Sequence, residues 1–128
     1  MMKVTHWILG ATVAMAATSA CYVSSTGSSS QGSSSGCGTV PASCPSTNPS
    51  YASDVAPILF QYCVSCHGPG GSLAGKPLDS YAAVKKLSGN VEKLTANCSM
   101  PPASAAAQPS SAERDTVLAW VVCGAQDN

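Results

Sequence analysis

Cys63-Val64-Ser65-Cys66-His67 is the stretch around which the rest of the chain is organised. Two cysteines three positions apart share one face of a helical turn. Each thiol can therefore add to a vinyl group of one porphyrin while the adjacent imidazole reaches the iron. The spacing C-x-x-C-H is that of a c-type haem attachment site. A C-x-x-C pair also suits half of a zinc site or a thiol redox pair, and neither of those uses the adjacent His67.

The body that would hold such a group is small: 128 residues, one domain with appendages. Charged residues make up 9% and the formal net charge is zero, which argues against nucleic acid and against an electrostatic membrane patch. Seven cysteines in so short a chain point to an oxidising compartment. The N-terminus agrees with export. Residues 1–20 carry Lys3 in a short polar start, an apolar stretch from Trp7 to about Ala17, and the small-residue end Thr18-Ser19-Ala20. The apolar run falls well short of the roughly 20 residues that a membrane-spanning helix needs.

A plain signal peptide cut near Ala20 is one reading of this stretch. The other is a lipoprotein signal, because TSAC at 18–21 resembles a lipobox in which Cys21 is acylated. Thr18 departs from the aliphatic residue usual there. Behind Cys21, residues 24–36 contain only Ser, Gly, Thr and Gln, a composition that buries no apolar surface and spans roughly 20 Å as a coil. Residues 21–50 are thus expected to be a lipid-attached tether with a small cysteine loop, and periplasm or cell envelope is the expected location. A spacer without function is the plainer reading of the Ser/Gly run.

Pro41, Pro45 and Pro49 keep the region around Cys37 and Cys44 from being helical, and the folded domain is expected over 51–128. Asp54 suits an N-cap, Pro57 the first turn, and Val55, Ile58, Leu59 and Tyr62 recur at helical spacing, so one helix delivers Cys63. Gly68-Pro69-Gly70-Gly71 ends it and offers bare backbone for close approach to the porphyrin edge. A second helix opens at Asp79 or Ser80, carries Tyr81, Val84 and Leu87 or Ser88 on its inner face, and stops at Ser88-Gly89-Asn90. Lys85 and Lys86 near its end suit the helix dipole, as a solvated face or a docking patch. Ser110 with Glu113 makes a capping box for a final helix with Val117, Leu118, Val121, Val122 and Ala125 inward. No alternating strand pattern appears, so the fold class is all-α with three main helices.

An iron that shuttles electrons without binding substrate needs a sixth ligand, usually Met or His. No second histidine remains once residues 1–20 leave, and Met100 is then the sole thioether. Pro101 disfavours a helical Met100 and stiffens its loop. Met100 as a core filler is the competing reading.

On CVSCH at 63–67 with Gly68, MPP at 100–102 and WVVCGA at 120–125, residues 51–128 resemble a small bacterial monohaem cytochrome c of the class I kind. The resemblance implies one covalent haem c, axial His67 and Met100, and electron transfer between larger redox proteins. It also implies that the His67 imidazole donates to the backbone carbonyl of a nearby proline, with Pro77 the candidate. The stretch from His67 to Met100 is shorter than in larger members, so a long loop over the haem edge is missing.

The domain's aromatics are few, namely Tyr51, Phe60, Tyr62, Tyr81 and Trp120, and such a core is thin alone. Buried porphyrin and disulfides would add to it. With Cys21 taken by lipid and Cys63 and Cys66 by haem, Cys37, Cys44, Cys98 and Cys123 remain, and four cysteines allow three pairings. Cys37 with Cys44 and Cys98 with Cys123 is the expected set. The leading functional expectation is an electron carrier, not an enzyme: monomeric, tethered to a membrane through Cys21, and docking transiently with redox partner proteins. If Met100 were off the iron, an open sixth position would allow peroxidase-like chemistry or gas binding. A disulfide module with zinc at Cys63, Cys66 and His67 is the third class.

Overall fold

The structure is a computed structural model that describes residues 36–128. The expected signal stretch, the acylated Cys21 and nearly all of the Ser/Gly tether lie outside the described residues. Those described are helical with no strand, an all-α architecture. A π-helical turn, Tyr51–Val55, runs directly into α1 (Ala56–Tyr62). The chain kinks at Cys63 and continues as α2 (Val64–His67), followed after a loop by α3 (Tyr81–Lys86), α4 (Ser88–Ala96) and α5 (Ser111–Val122). No helix among the described residues is long and apolar enough to cross a membrane.

The first helical stretch begins earlier than the apolar periodicity suggests. Ser50, in extended conformation after Pro49, is the cap: its hydroxyl accepts from the Ser53 N–H at 3.3 Å, and the Asp54 carboxylate accepts from the Ser50 N–H at 2.7 Å. Asp54 therefore supports the cap from inside the helix. A second difference lies at Ser88-Gly89-Asn90, which opens α4 rather than stopping α3. Leu87 carries the break, with its N–H bonded to both Ala83 and Val84 carbonyls. Leu87, Val91 and Leu94 continue the helical period beyond it, and burial of Val91 outweighs the modest cost of Gly89.

The core gathers Val55, Leu59, Leu78, Val84, Val91, Val117, Trp120 and Ala125. Trp120 at its centre is fully buried, with Tyr51 and Tyr81 at ring-centroid distances of 5.5 and 6.5 Å. The indole N–H donates to the Gln126 carbonyl at 2.9 Å and the Tyr81 hydroxyl to the Ala125 carbonyl at 3.1 Å, so the polar ends of these rings are satisfied. Lys85 donates to the Gly124 carbonyl, which makes it a tie between α3 and the end of α5. Phe60, by contrast, is exposed.

The disulfides correct the expected pairing: Cys37 is bonded to Cys98 and Cys44 to Cys123. The proline-stiffened run between Cys37 and Cys44 is laid along α5 instead of closing on itself. A Cβ on Gly38 would meet Arg114 Cβ at 2.7 Å and Leu118 Cδ1 at 2.8 Å, and the Thr39 N–H donates to Asp115 Oδ1 at 2.6 Å. An extended run of that length reaches roughly 20 Å, far more than the separation a disulfide tolerates. Cys37 instead meets Cys98 just after α4, and Cys44 meets Cys123 at the C-terminal end of α5, so the segment that carries them is cross-linked to the helical body.

Peptide mapping without reductant should recover Cys37 joined to Cys98 and Cys44 joined to Cys123; recovery of Cys98 with Cys123 would reject this arrangement. Replacing Cys44 by Ala should cost about 2–5 kcal/mol in denaturant unfolding, because it releases the chain from the end of α5.

Candidate functional site

Cys63, Cys66, His67 and Met100 line one largely apolar cavity of about 570 Å3, within the ~300–1,000 Å3 usual for cofactor-sized ligands. Leu59 from α1, Leu87, Val91 and Leu94 along α4, and Val117 from α5 supply apolar wall. Sequence distance between the two halves of the set is bridged by the α4–α5 pair, which carries Met100 on the loop between its helices.

His67 ends α2, and its ring is fixed. Its Nδ1 lies 2.8 Å from the Lys76 carbonyl, so Nδ1–H donates there and Nε2 keeps the lone pair that a metal needs. The acceptor is Lys76, one residue before the expected Pro77. It is the carbonyl of the Lys76–Pro77 peptide itself, and the Leu78 N–H returns to the His67 carbonyl at 3.0 Å. Ring and backbone of His67 are thus held by the residues on either side of Pro77.

The glycine loop serves this turn directly. A Cβ on Gly71 would clash with the Cys66 carbonyl oxygen, and one on Gly68 would lie 2.6 Å from that of Val64. The close approach that needs bare backbone is therefore to the chain's own α2. The Leu73 N–H donates to the Cys66 carbonyl at 2.9 Å, closing the loop on the same turn.

Cys63 and Cys66 are free thiols, half-buried and exposed respectively. Burial pushes the Cys63 thiol up to about 11, against the opposing pull of Arg114 and with a further push from Cys66. A redox pair works through a thiolate stabilised near neutral pH, the opposite trend. Among the described residues no three His, Cys, Asp or Glu side chains gather as a metal-holding group, whereas a closed zinc site takes four such ligands. An axial pair on a porphyrin iron needs only one residue on each side.

Met100 is half-buried and held at both backbone ends: its N–H donates to the Leu94 carbonyl at 3.1 Å and its carbonyl accepts from Arg114 Nη1 at 3.1 Å. Arg114 is a feature that sequence reasoning missed. It is buried, lines the cavity, and lies on the same face of α5 as Val117, Leu118 and Val121. A lone cation in an apolar stripe was the available signal. Gln108, which accepts from Arg114 Nη2 at 2.9 Å and donates to the Pro102 carbonyl at 2.7 Å, was likewise unmarked.

Glu113 joins two walls. Its carboxylate accepts from the Ser110 N–H and hydroxyl at 2.7 and 2.8 Å, completing the capping box, and from the Tyr62 hydroxyl at 3.1 Å. Burial alone would raise the Glu113 pKa, but the Ser110 and Tyr62 donors outweigh it and the net shift is downward. No protein-family model, curated protein or solved structure matches this chain.

A folded-state pKa below the unfolded one means that Glu113 adds stability above the unfolded value, ~4.3, and loses it as pH falls through the lower folded value. The stability difference between the parent and Glu113→Gln should hold constant above about pH 5 and shrink in acid below about pH 4. Unfolding midpoints across that range check it, and a difference independent of pH would remove Glu113 as the titrating tie.

Proposed function

We propose that the domain is an electron carrier holding one covalent haem c, with Cys63 and Cys66 as its thioether anchors and His67 and Met100 as the axial ligands of its iron. The observation that carries this reading is the meeting of those four residues on one apolar cavity of cofactor size, with the His67 ring oriented through Nδ1. Haem supplies a one-electron couple when bound; the chain's own residues hold it, exclude water and tune it. Leu59, Leu87, Val91 and Val117 supply an apolar wall that would keep water from the face of the group they pack against. The Lys76 carbonyl orients His67 and raises its donor strength. Anchoring of Met100 at both backbone ends limits how far the thioether moves between oxidation states, which keeps the reorganisation of each transfer small.

The same reading makes the protein an exported carrier, tethered to a membrane through acylated Cys21 and exchanging electrons by transient docking at the cavity mouth. Cys66 and Leu73 are exposed there, which supports brief rather than permanent contacts.

Met100→Ala tests the ligand assignment. The variant should stay folded and coloured, because Cys63, Cys66 and His67 are untouched. Its reduction potential should fall, since a thioether favours ferrous iron. It should also bind carbon monoxide when reduced, which the parent should resist. A parent that binds carbon monoxide readily, or a variant that keeps the near-infrared Met to iron band, would take Met100 off the iron and put gas binding ahead of electron transfer.

A further inference from the structure

We propose that Arg114 is the positioning residue of the Met100 ligand and a fixed positive charge that favours the reduced state of the site. The proposal rests on the haem reading above and deepens it. Among the described residues Arg114 is the one buried charged side chain, 4% exposed. Its guanidinium reaches three separate parts of the chain: the Thr95 carbonyl near the end of α4 at 3.5 Å, the Met100 carbonyl at 3.1 Å and Gln108 Oε1 at 2.9 Å. A planar fork with several donors in fixed directions can span such a set, whereas an ammonium on a flexible stem cannot reproduce it.

The loop from Asn97 to Ser110 has no helix of its own to hold it. Its fixed points are the Cys37–Cys98 bond, the Met100 N–H on Leu94, and the Arg114 fork with Gln108. The bond at Cys98 sets where the loop starts, and Arg114 sets how Met100 lies against α5.

None of the three acceptors is a carboxylate. The neighbouring acids are committed elsewhere, Asp115 to the Thr39 N–H and Glu113 to Ser110 and Tyr62. No carboxylate therefore pairs with the guanidinium at contact distance beside the cavity, and its field reaches Cys63. In a site of low dielectric such a charge opposes a further positive charge on a bound iron and so favours the ferrous form.

The test uses the full chain as parent, R114Q and R114K, with three readouts. Hydrogen exchange over residues 98–105 reports the loop whether or not iron is present; R114Q should exchange there about tenfold faster or more, matching loss of a charged hydrogen-bond donor, while α1 stays protected. The reduction potential should fall in R114Q and fall less in R114K, which keeps the charge. Carbon monoxide binding to the reduced protein should appear in both variants, because both lose the fork. If R114Q does not fold, R114K carries the same loop and carbon monoxide tests. Unchanged loop exchange would overturn the proposal. So would a loosened loop with unchanged potential and continued resistance to carbon monoxide, since Arg114 would then be structural only. A parent whose Cys63 and Cys66 carry no haem would instead overturn the haem reading and the charge assignment with it, leaving the exchange result to report loop anchoring alone.

Discussion

Burial of Trp120 against Tyr51 and Tyr81 is the contact on which the rest of the domain depends. Few large side chains are fully buried in the described residues, and Trp120 is the largest of them, beside Leu118, Val55 and Val84. These rings, packed edge-on and tilted, fix the C-terminal half of α5 against the π-helical turn that leads into α1 and against the start of α3. Burying a tryptophan of this kind contributes on the order of 3–5 kcal/mol relative to Ala, a large share of what so small a domain can spare.

With that half of α5 fixed, its other half becomes the back wall of the cavity. Val117 meets the apolar side, Arg114 takes the Met100 loop, and Glu113 ties Tyr62 of α1 to the capped N-terminus. Two disulfides add to this from outside, one at the C-terminal end of α5 and one just after α4, at the start of the Met100 loop. The loop after His67 is ordered differently, by Gly68 and Gly71 closing on α2 and by the paired hydrogen bonds that flank Pro77. Backbone hydrogen bonds and cross-links therefore hold both faces of the cavity on that packed base.

What the sequence made legible was local. The capping box of Ser110 and Glu113, the inward Val55, Leu59, Val84, Val117 and Leu118, and the absence of strands among the described residues follow from spacing within one or two helical turns. The four residues singled out for the site line one cavity, three of them neighbours in one short motif. What was not legible depends on distant partners. The cysteine pairing turned on residues 37–44 lying along α5, which no neighbour rule reveals. Ser88-Gly89-Asn90 reads as a stop until burial of Val91 is known. Arg114 stood inside an apolar stripe, but only the fold shows three oxygens waiting for its fork.

The proposed function requires that the cavity hold a haem joined to the chain through Cys63 and Cys66. Its most direct test is mass mapping of the peptide that contains both cysteines, from protein exported in a host with haem-attachment machinery. The expected result is a single peptide heavier by one haem, with neither thiol open to alkylation. The same peptide recovered at its bare mass with both thiols alkylated would contradict it.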